Sequence, residues 1–351
     1  MRRLLFWFAL IPAIVLWADP SFARSWTKVP GDAPVATDSA IYGVVVVTDT
    51  DVWGVGYVAH QPLTEHWDGA VWTAVHTPRL EFGGLFHGVA ARSANDVWAV
   101  GESEGLGQVQ TLVEHWNGSR WTVFTSPNVG TYDLLTGVDV ISRDDAWAVG
   151  YSISPTVRYI LMHWNGTAWS LVNGPVVSAG ALSAIKAFAA DDIWAVGTEG
   201  FTGNTPTTLT LHWDGTAWSR IPSPNVEMQN YLAGVDCMTP DDVWAVGRST
   251  TSTMAMHWDG ATWNLVPTPV IAGGQFNAVK VIGPTFICAV GTLPGQPLSE
   301  RWDGTQWHTI PLPPTDPSSI LFAISSRHGT VWAAGYENYF DLDELFLTLT
   351  P

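Results

Sequence analysis

The stretch Asp-Asp-Val-Trp-Ala-Val-Gly at residues 241–247 decides the fold, because the chain repeats it. Seven copies, two of them diverged, place their Trp position at Trp53, Trp98, Trp147, Trp194, Trp244, Cys288 and Trp332. These positions lie 45, 49, 47, 50, 44 and 44 residues apart. A period of this length is typical of solenoids, arrays and propellers, in which each repeat is one supersecondary unit.

Each repeat contains four strand-like segments. The third ends in His-Trp, an Asp-Gly or Asn-Gly turn follows, and the fourth opens on Trp, as in His-Trp-Asp-Gly-Thr-Ala-Trp at residues 212–218. Asp-Gly between two apolar runs is a strong hairpin signal. No segment has a sustained helical period. We therefore predict an all-β fold, a β-propeller of four-stranded antiparallel blades.

The two ends of the chain predict how the propeller closes. The seventh repeat ends at residue 351 without a fourth strand, whereas residues 25–30, Ser-Trp-Thr-Lys-Val-Pro, match the fourth-strand pattern. We expect seven blades, the last completed by this N-terminal strand. The innermost strands carry Gly or Ala at one position, which keeps side chains out of a crowded axis.

The phrases at residues 212–218 and 241–247 resemble the Trp-rich propeller repeats of exported bacterial proteins. They are also loosely similar to kelch-like and tectonin-type lectin propellers. The resemblance covers residues 24–351. Those families include sugar binders, interaction scaffolds and enzymes, so the resemblance implies the fold and leaves the function open.

The first residues predict export. Arg2 and Arg3 precede an apolar run over residues 4–17, and Ser-Phe-Ala at 21–23 has the form of a cleavage site. We interpret residues 1–23 as a signal peptide and residues 24–351 as a secreted or extracytoplasmic propeller, expected to be a monomer without membrane insertion. An uncleaved anchor is the alternative.

Charge and cysteine content restrict the partners. The net charge of −17 argues against nucleic acid and anionic membranes as partners. Much of the acidity lies in Asp residues of recurring turns, where the side chain bonds nearby backbone amides. Cys237 and Cys288 occupy strand positions that are apolar in other repeats, so we expect buried thiols rather than a disulfide.

No cofactor or metal is expected. A histidine recurs before the third-strand Trp, at His66, His115, His163, His212 and His257. Each belongs to a different repeat, which predicts a structural role rather than a shared ion. A column of alternating charge on the innermost strands, with Asp139, Lys186, Asp236 and Lys280, predicts salt bridges between neighbouring blades.

Columns that vary among the repeats are the candidates for function. Two such columns, the residue before the small inner-strand position and the residue after the second-strand glycine, should surround one mouth of the central channel. All eight tyrosines are expected on this side, and Tyr combines a flat apolar ring with a hydroxyl. The predicted ligand-binding residues are Tyr42, Tyr57, His87, Glu102, Tyr151, Arg248, Asn277 and Tyr336.

Three functions remain open on the sequence. The first is a recognition propeller that binds a glycan or other surface polymer through the Tyr-bearing face. The second is a polysaccharide lyase or glycoside hydrolase, in which Tyr42 and His87 would act as base and acid while Arg248 holds a uronate. The third is a scaffold for protein partners. We see no recognisable catalytic constellation, which favours recognition.

Overall fold

The computed structural model describes residues 24–32, 38–269, 271–338 and 342–350. Every regular element in these ranges is a β-strand. The described residues form no helix that is long and apolar enough to cross a membrane. The signal peptide predicted at residues 1–23 lies outside the described residues.

The described residues contain twenty-eight strands, which fall into four sets by their position in each sheet. The innermost strands are β2 (Ser39–Thr48), β6 (Gly84–Ser93), β10 (Tyr132–Ser142), β14 (Ala181–Ala189), β18 (Asn230–Thr239), β22 (Gln275–Gly283) and β26 (Ile320–Arg327). The second strands are β3 (Asp51–Val58), β7 (Asp96–Gly105), β11 (Asp145–Ser154), β15 (Asp192–Glu199), β19 (Asp242–Ser249), β23 (Phe286–Leu293) and β27 (Thr330–Glu337). The third strands are β4 (Gln61–Trp67), β8 (Gln108–Trp116), β12 (Arg158–Trp164), β16 (Thr207–Trp213), β20 (Thr253–Trp258), β24 (Gln296–Trp302) and β28 (Asp343–Thr350). The outermost strands are β5 (Trp72–Ala74), β9 (Trp121–Val123), β13 (Trp169–Leu171), β17 (Trp218–Arg220), β21 (Trp263–Val266), β25 (Trp307–Thr309) and β1 (Ser25–Val29).

Consecutive strands pair antiparallel into four-stranded sheets. The sheets β6 to β9 and β10 to β13 are additionally joined by one parallel bridge between Val109 and Tyr132. The innermost strands contact one another in chain order, from β2 to β26, and β26 also contacts β2. Each innermost strand therefore lies beside the innermost strands of two other sheets.

The N-terminal strand completes the last sheet. β1 pairs with β28, and Trp26 and Leu349 are Cα partners. The Trp26 ring is buried, and its Nε1 donates to Ser299 Oγ at 2.9 Å. The pairing of the N-terminal segment with the last repeat, predicted from its sequence, is confirmed.

Tryptophans fill the space between sheets. The buried ring of Trp53 in β3 contacts the rings of Trp116 and Trp121 in the next sheet, at centroid distances of 5.0 and 5.4 Å. The same triplet recurs at Trp98–Trp164–Trp169, Trp147–Trp213–Trp218, Trp194–Trp258–Trp263, Trp244–Trp302–Trp307 and Trp332–Trp67–Trp72. Offset and edge contacts of this kind add to the stabilisation from the burial of large apolar area.

Cys288 takes the Trp position in the sixth repeat, and both cysteines are free thiols, as predicted.

The small residues of the innermost strands are needed for close approach. A Cβ at Gly234 would lie 2.9 Å from Ala278 Cα, and one at Gly88 would lie 3.1 Å from Gly137 Cα. Backbones at this distance leave no room for a larger side chain, because the interior is already packed to high density.

The Asp-Gly hairpins follow the expected turn chemistry. Asp68 Oδ1 accepts hydrogen bonds from the N–H groups of Ala70 and Val71 at 2.8 and 3.0 Å, and Gly69 has a φ of +99°. Glycine adopts this left-handed conformation without steric cost.

Candidate functional site

The innermost strands surround a central cavity of about 190 Å³. Each contributes three consecutive residues around its small position, such as Tyr42, Gly43 and Val44 from β2. Of the predicted site residues, Tyr42, His87 and Asn277 line this cavity directly.

Five rings meet at one end of the cavity. The centroid of Tyr42 lies 6.0 Å from that of Tyr57, 5.7 Å from that of His87 and 4.8 Å from that of Phe322. Phe322 in turn lies 5.6 Å from Tyr336. We call these five residues the aromatic mouth. The structure therefore brings together four of the eight predicted site residues.

The repeat explains why these rings converge. Tyr42, His87 and Phe322 each precede the small residue of an innermost strand. Tyr57 and Tyr336 each follow the second-strand glycine. Their Cα partners, Ala40 and Ile320, lie at the start of β2 and β26, so the two columns meet at one end of the sheets.

Burial favours the uncharged forms of Tyr42, Tyr57 and His87 in the aromatic mouth. Burial lowers the pKa of His87 to about 4 and raises the pKa of Tyr42 to about 12. Burial and the hydrogen bond from its hydroxyl to Asp38 Oδ1, at 3.0 Å, raise the pKa of Tyr57 well above its ordinary value. His87 Nε2 is buried and has no hydrogen-bond partner among the described residues.

Glu102 and Tyr151 form a neighbouring group at the same end. Burial and the charge of Glu104 raise the pKa of Glu102. The Glu102 carboxylate contributes in turn to the raised pKa values of Tyr132 and Tyr151. The Tyr151 ring lies 5.5 Å from that of Phe201. Acidic side chains thus lie beside both groups, Asp38 at Tyr57 and Glu102 near Tyr151.

Arg248 and Asn277 are engaged by the fold. The Arg248 guanidinium lies 4.0 Å from the centroid of its cross-strand partner Tyr231. Asn277 Nδ2 donates to Leu321 O of the next sheet at 2.8 Å. These contacts hold both predicted site residues in position. They also give each residue a structural role in the fold.

Sequence reasoning missed Phe322, Phe201 and Asp38. Phe322 occupies the same column as Tyr42 and His87, so its position at the mouth is predictable from the repeat. The prediction missed it because a phenylalanine ring has no polar group. Phe201 lies in a loop insertion that has no counterpart in other repeats. Tyr339, one of the eight tyrosines expected at this face, lies outside the described residues.

A larger cavity adjoins the mouth. It has a volume of about 650 Å³ and is lined by Tyr336, Thr292, Gln296 and Asn338 among others. Tyr336 thus belongs both to the ring cluster and to this cavity. Its volume lies within the range of ligand clefts.

The charged column forms the predicted bridges. Lys186 Nζ lies 2.8 Å from Asp139 Oδ2, and Lys280 Nζ lies 2.9 Å from Asp236 Oδ2. Burial by itself lowers the pKa of Lys186, but the carboxylates of Asp139 and Asp236 raise it above its ordinary value. These residues tie neighbouring innermost strands together.

The recurring histidines have a structural partner that the sequence did not reveal. His66 Nε2 lies 2.9 Å from Asp51 Oδ1, and the ring also packs on Trp53 at 4.6 Å. Four further pairs are Asp96–His115, Asp145–His163, Asp192–His212 and Asp242–His257, at 2.8 to 2.9 Å. The assignment of these aspartates to turn amides was wrong, because their carboxylates bond the histidines. No three His, Cys, Asp or Glu side chains of the described residues are grouped to hold a metal ion.

Three buried carboxyl groups lie in the third strands, and the first, Glu65, accepts a hydrogen bond from the Asp32 N–H at 3.0 Å. Glu114 and Glu300 are fully buried, and no described residue bonds either side chain. Burial raises the pKa of Glu114 to about 8 and that of Glu300 to about 7. Other repeats have Met162, Leu211 and Met256 in this column.

No family model and no curated protein matches the sequence. Solved structures do match the fold. The YCF48 structure described as bound to D1 peptide has a TM-score of 0.62 and 14% identity, covering 96% of this chain and 97% of that one. The WD40 propeller domain of Doa1 has a TM-score of 0.63 and 11% identity, covering 92% and 97%. The SapL1 lectin, in complex with alpha methyl fucoside, has a TM-score of 0.50 and 12% identity, covering 84% and 98%. The chain therefore has a β-propeller fold.

Proposed function

We propose that this protein recognises a glycan or another surface polymer through the aromatic mouth. One observation carries the proposal, namely the continuous contact of Tyr42 with the rings of Tyr57, His87 and Phe322 at the end of the central cavity. The tryptophan rings of the described residues, by contrast, pack within and between the sheets, where they stabilise the fold.

The chemistry of the mouth suits an uncharged or weakly charged polymer. Flat rings offer an apolar surface to the C–H face of a sugar, and Tyr hydroxyls supply hydrogen bonds at the edge. His87 Nε2 is a buried polar atom that no described residue bonds, and a ligand hydroxyl would supply a partner. The adjoining cavity at Tyr336 gives room for a second unit of a polymer.

Proteins with this fold have been solved both with a peptide and with a methyl fucoside. The fold therefore does not choose between the two ligand classes. The preference for a glycan over a peptide rests on the uncharged rings of this chain. A peptide ligand is an alternative outcome of the binding experiment.

The enzyme hypothesis receives no support from the site. A catalytic Tyr base needs a lowered pKa and a His acid needs to be charged, whereas the pKa of Tyr42 is raised and that of His87 is lowered. Arg248, which would hold a uronate, stacks on Tyr231 instead.

The proposal includes a closed ring of seven blades in an exported monomer. Support for the ring comes from the contact of β26 with β2 and from the pairing of β1 with β28.

The proposal of export rests on the signal-peptide pattern of residues 1–23. Mass spectrometry of protein secreted by a bacterial host should find the mature chain beginning near Arg24, and an intact leader would favour the anchor instead. Light scattering should give one chain per particle.

Binding can be tested on a broad glycan array, followed by calorimetry on the best hit. Tyr42→Leu and Tyr57→Leu should each weaken binding about tenfold or more, since buried aromatic contacts dominate recognition. Leu171→Ala, an exposed residue on outermost strand β13, is the control and should bind as the parent does. A folded sample that binds no glycan but retains a peptide from an envelope-protein library would replace this proposal with the scaffold function. Unsaturated products from acidic polysaccharides would replace it with a lyase.

A further inference from the structure

A third cavity lies at the opposite end of the sheets from the aromatic mouth. It has a volume of about 730 Å³, within the range of small-molecule sites. Its lining comes from two neighbouring sheets, β6 to β9 and β10 to β13, and includes Arg92, Phe124 and Arg143. Arg92 is near the end of β6, whereas His87 of the mouth is near its start.

These three residues are departures from the repeat. Arg92 stands in a column that otherwise reads Val47, Ile141, Phe188, Met238 and Ile282, and the seventh repeat is one residue shorter at this point. Phe124 stands in a column that otherwise reads Val29, Val75, Val172, Ile221, Val266 and Ile310. Arg143 stands in a column that otherwise reads Asp49, Ala94, Ala190, Pro240, Pro284 and His328. Because the other repeats fold without these side chains, the scaffold does not require them. Their convergence on one cavity needs another explanation.

The two arginines leave donors for a ligand. Arg92 Nε donates to Asp96 Oδ2 at 2.7 Å, which leaves its two terminal nitrogens outside that bond. Asp96 Oδ1 lies 2.8 Å from His115 Nε2, so both oxygens of this carboxylate are already engaged. Arg143 is exposed, and its guanidinium has no partner among the described residues. The same lining contains Asp96 and Asp144, so the cavity combines two arginines with two carboxylates.

Phe124 gives the cavity an apolar wall. Its ring is held edge-on by His115 and Trp164, at interplanar angles of 89° and 90°. Asp144 and Asn117 add acceptors to the rim. An Arg guanidinium matches a carboxylate with two parallel hydrogen bonds, a ring wall suits a flat apolar face, and an Asp accepts hydroxyl protons.

We propose that this inter-sheet cavity binds a hexuronic acid unit, with its carboxylate on Arg143 and Arg92 and its ring against Phe124. Asp144 accepts hydrogen bonds from the sugar hydroxyls. The site is independent of the aromatic mouth and would add a preference for acidic polysaccharides to whatever the mouth recognises.

The test is calorimetric titration of the mature chain with D-glucuronate, with D-glucose as the neutral comparison. Glucuronate should bind, glucose should bind at least about tenfold more weakly, and added salt should weaken the glucuronate interaction. Arg143→Ala should reduce affinity about tenfold or more, and Phe124→Val several-fold.

Both variants restore residues that the same columns already contain, so folding should be retained. Trp164 Nε1 donates to the Arg143 carbonyl at 3.1 Å, as Trp116 and Trp213 do to Ala94 and Ala190, and this bond does not depend on the side chain. An unchanged melting temperature verifies the fold.

Tyr57→Leu, in the mouth, should leave glucuronate binding unchanged, which separates the two sites. The proposal is overturned if the parent protein does not bind glucuronate, if Arg143→Ala binds it equally well, or if only the mouth variant abolishes binding.

Discussion

Phe286 and Arg301 occupy, in the sixth repeat, the positions at which an aspartate and a histidine pair in five other repeats. The Arg301 guanidinium lies 5.5 Å from the centroid of the Phe286 ring. The register is unchanged, because Cys288 and Arg301 are Cα partners as Trp and His are elsewhere. A cation over a ring has thus replaced a hydrogen-bonded pair, and both members differ together. The two positions behave as one structural unit.

The Asp192–His212 pair should therefore show energetic coupling. Each single change to Ala should lower the free energy of unfolding by about 1 to 2 kcal/mol, because it leaves a half-buried polar partner unpaired. A double-mutant cycle by urea denaturation should give a coupling energy of about 1 kcal/mol. Asp191→Ala, at the exposed neighbouring position, is the control. Additive losses at Asp192 and His212 would show that the pair is not a unit.

Glu114 predicts a stability that declines with rising pH. Its pKa is about 8 in the folded state against 4.5 ordinarily, so folding favours the protonated form. The contribution is fully present below about pH 4.5 and is lost as pH rises through 8. Relative to Glu114→Met, the parent should lose roughly 2 to 4 kcal/mol between pH 5 and pH 8. Met is the residue of two equivalent positions, Met162 and Met256. Parallel pH profiles of the two proteins would contradict the buried, protonated carboxyl.

Removal of residues 24–30 should strongly destabilise the protein. β28 would lose its pairing partner, and the buried Trp26 would be lost with it. Trp26→Ala alone should cost about 3 to 5 kcal/mol. Thr27→Ala, whose side chain is exposed, should be close to neutral in the same thermal melts. A deletion variant that melts as the parent does would rule out a structural role for β1.

Two glycines of the innermost strands should respond differently to Ala. Gly234→Ala places a Cβ 2.9 Å from Ala278 Cα, which forces backbone movement and should cost about 1 to 3 kcal/mol. Gly137→Ala places its Cβ 3.4 Å from the nearest atom, an ordinary contact, and should cost clearly less. Equal losses in chemical denaturation would show that the crowding at the axis is relieved elsewhere.

Local signals made most of the fold predictable. The Asp-Gly hairpins depend on a few adjacent residues, such as Asp68 and Gly69, and the spacing of the Trp positions depends on the repeat. The segment containing Trp26 was recognised because it matched a fourth strand. Each of these signals is carried by contiguous sequence, so no knowledge of register was needed.

Partner choice across strands was less predictable. The bond between Asp51 and His66 depends on the register that places Trp53 opposite His66. Aspartate also favours turns, so its local preference alone predicts a bond to turn amides rather than to a histidine on a neighbouring strand. The salt bridge between Asp139 and Lys186 could be predicted because neighbouring repeats carry opposite charges at the same position.

The site was predictable in part for a similar reason. Tyr42, Tyr57, His87 and Tyr336 lie in variable columns that meet at one end of the sheets. The cavity at Arg92, Phe124 and Arg143 draws on three different columns of two neighbouring repeats. No single column contains that pattern, so it emerges only when the sheets are placed side by side.

The pairing of β1 with β28 has a consequence for biosynthesis. Trp26 is among the first residues of the described chain to leave the ribosome, and its partner Leu349 is among the last. The final sheet cannot assemble until β28 has been synthesised, and contacts between residues so distant in sequence are slow to form because the loop between them must first close. A chain terminated before β28 would leave β1 without this partner and expose an unpaired strand edge. The same pairing therefore makes synthesis of β28 a precondition for the final sheet, and marks shorter products for aggregation or degradation.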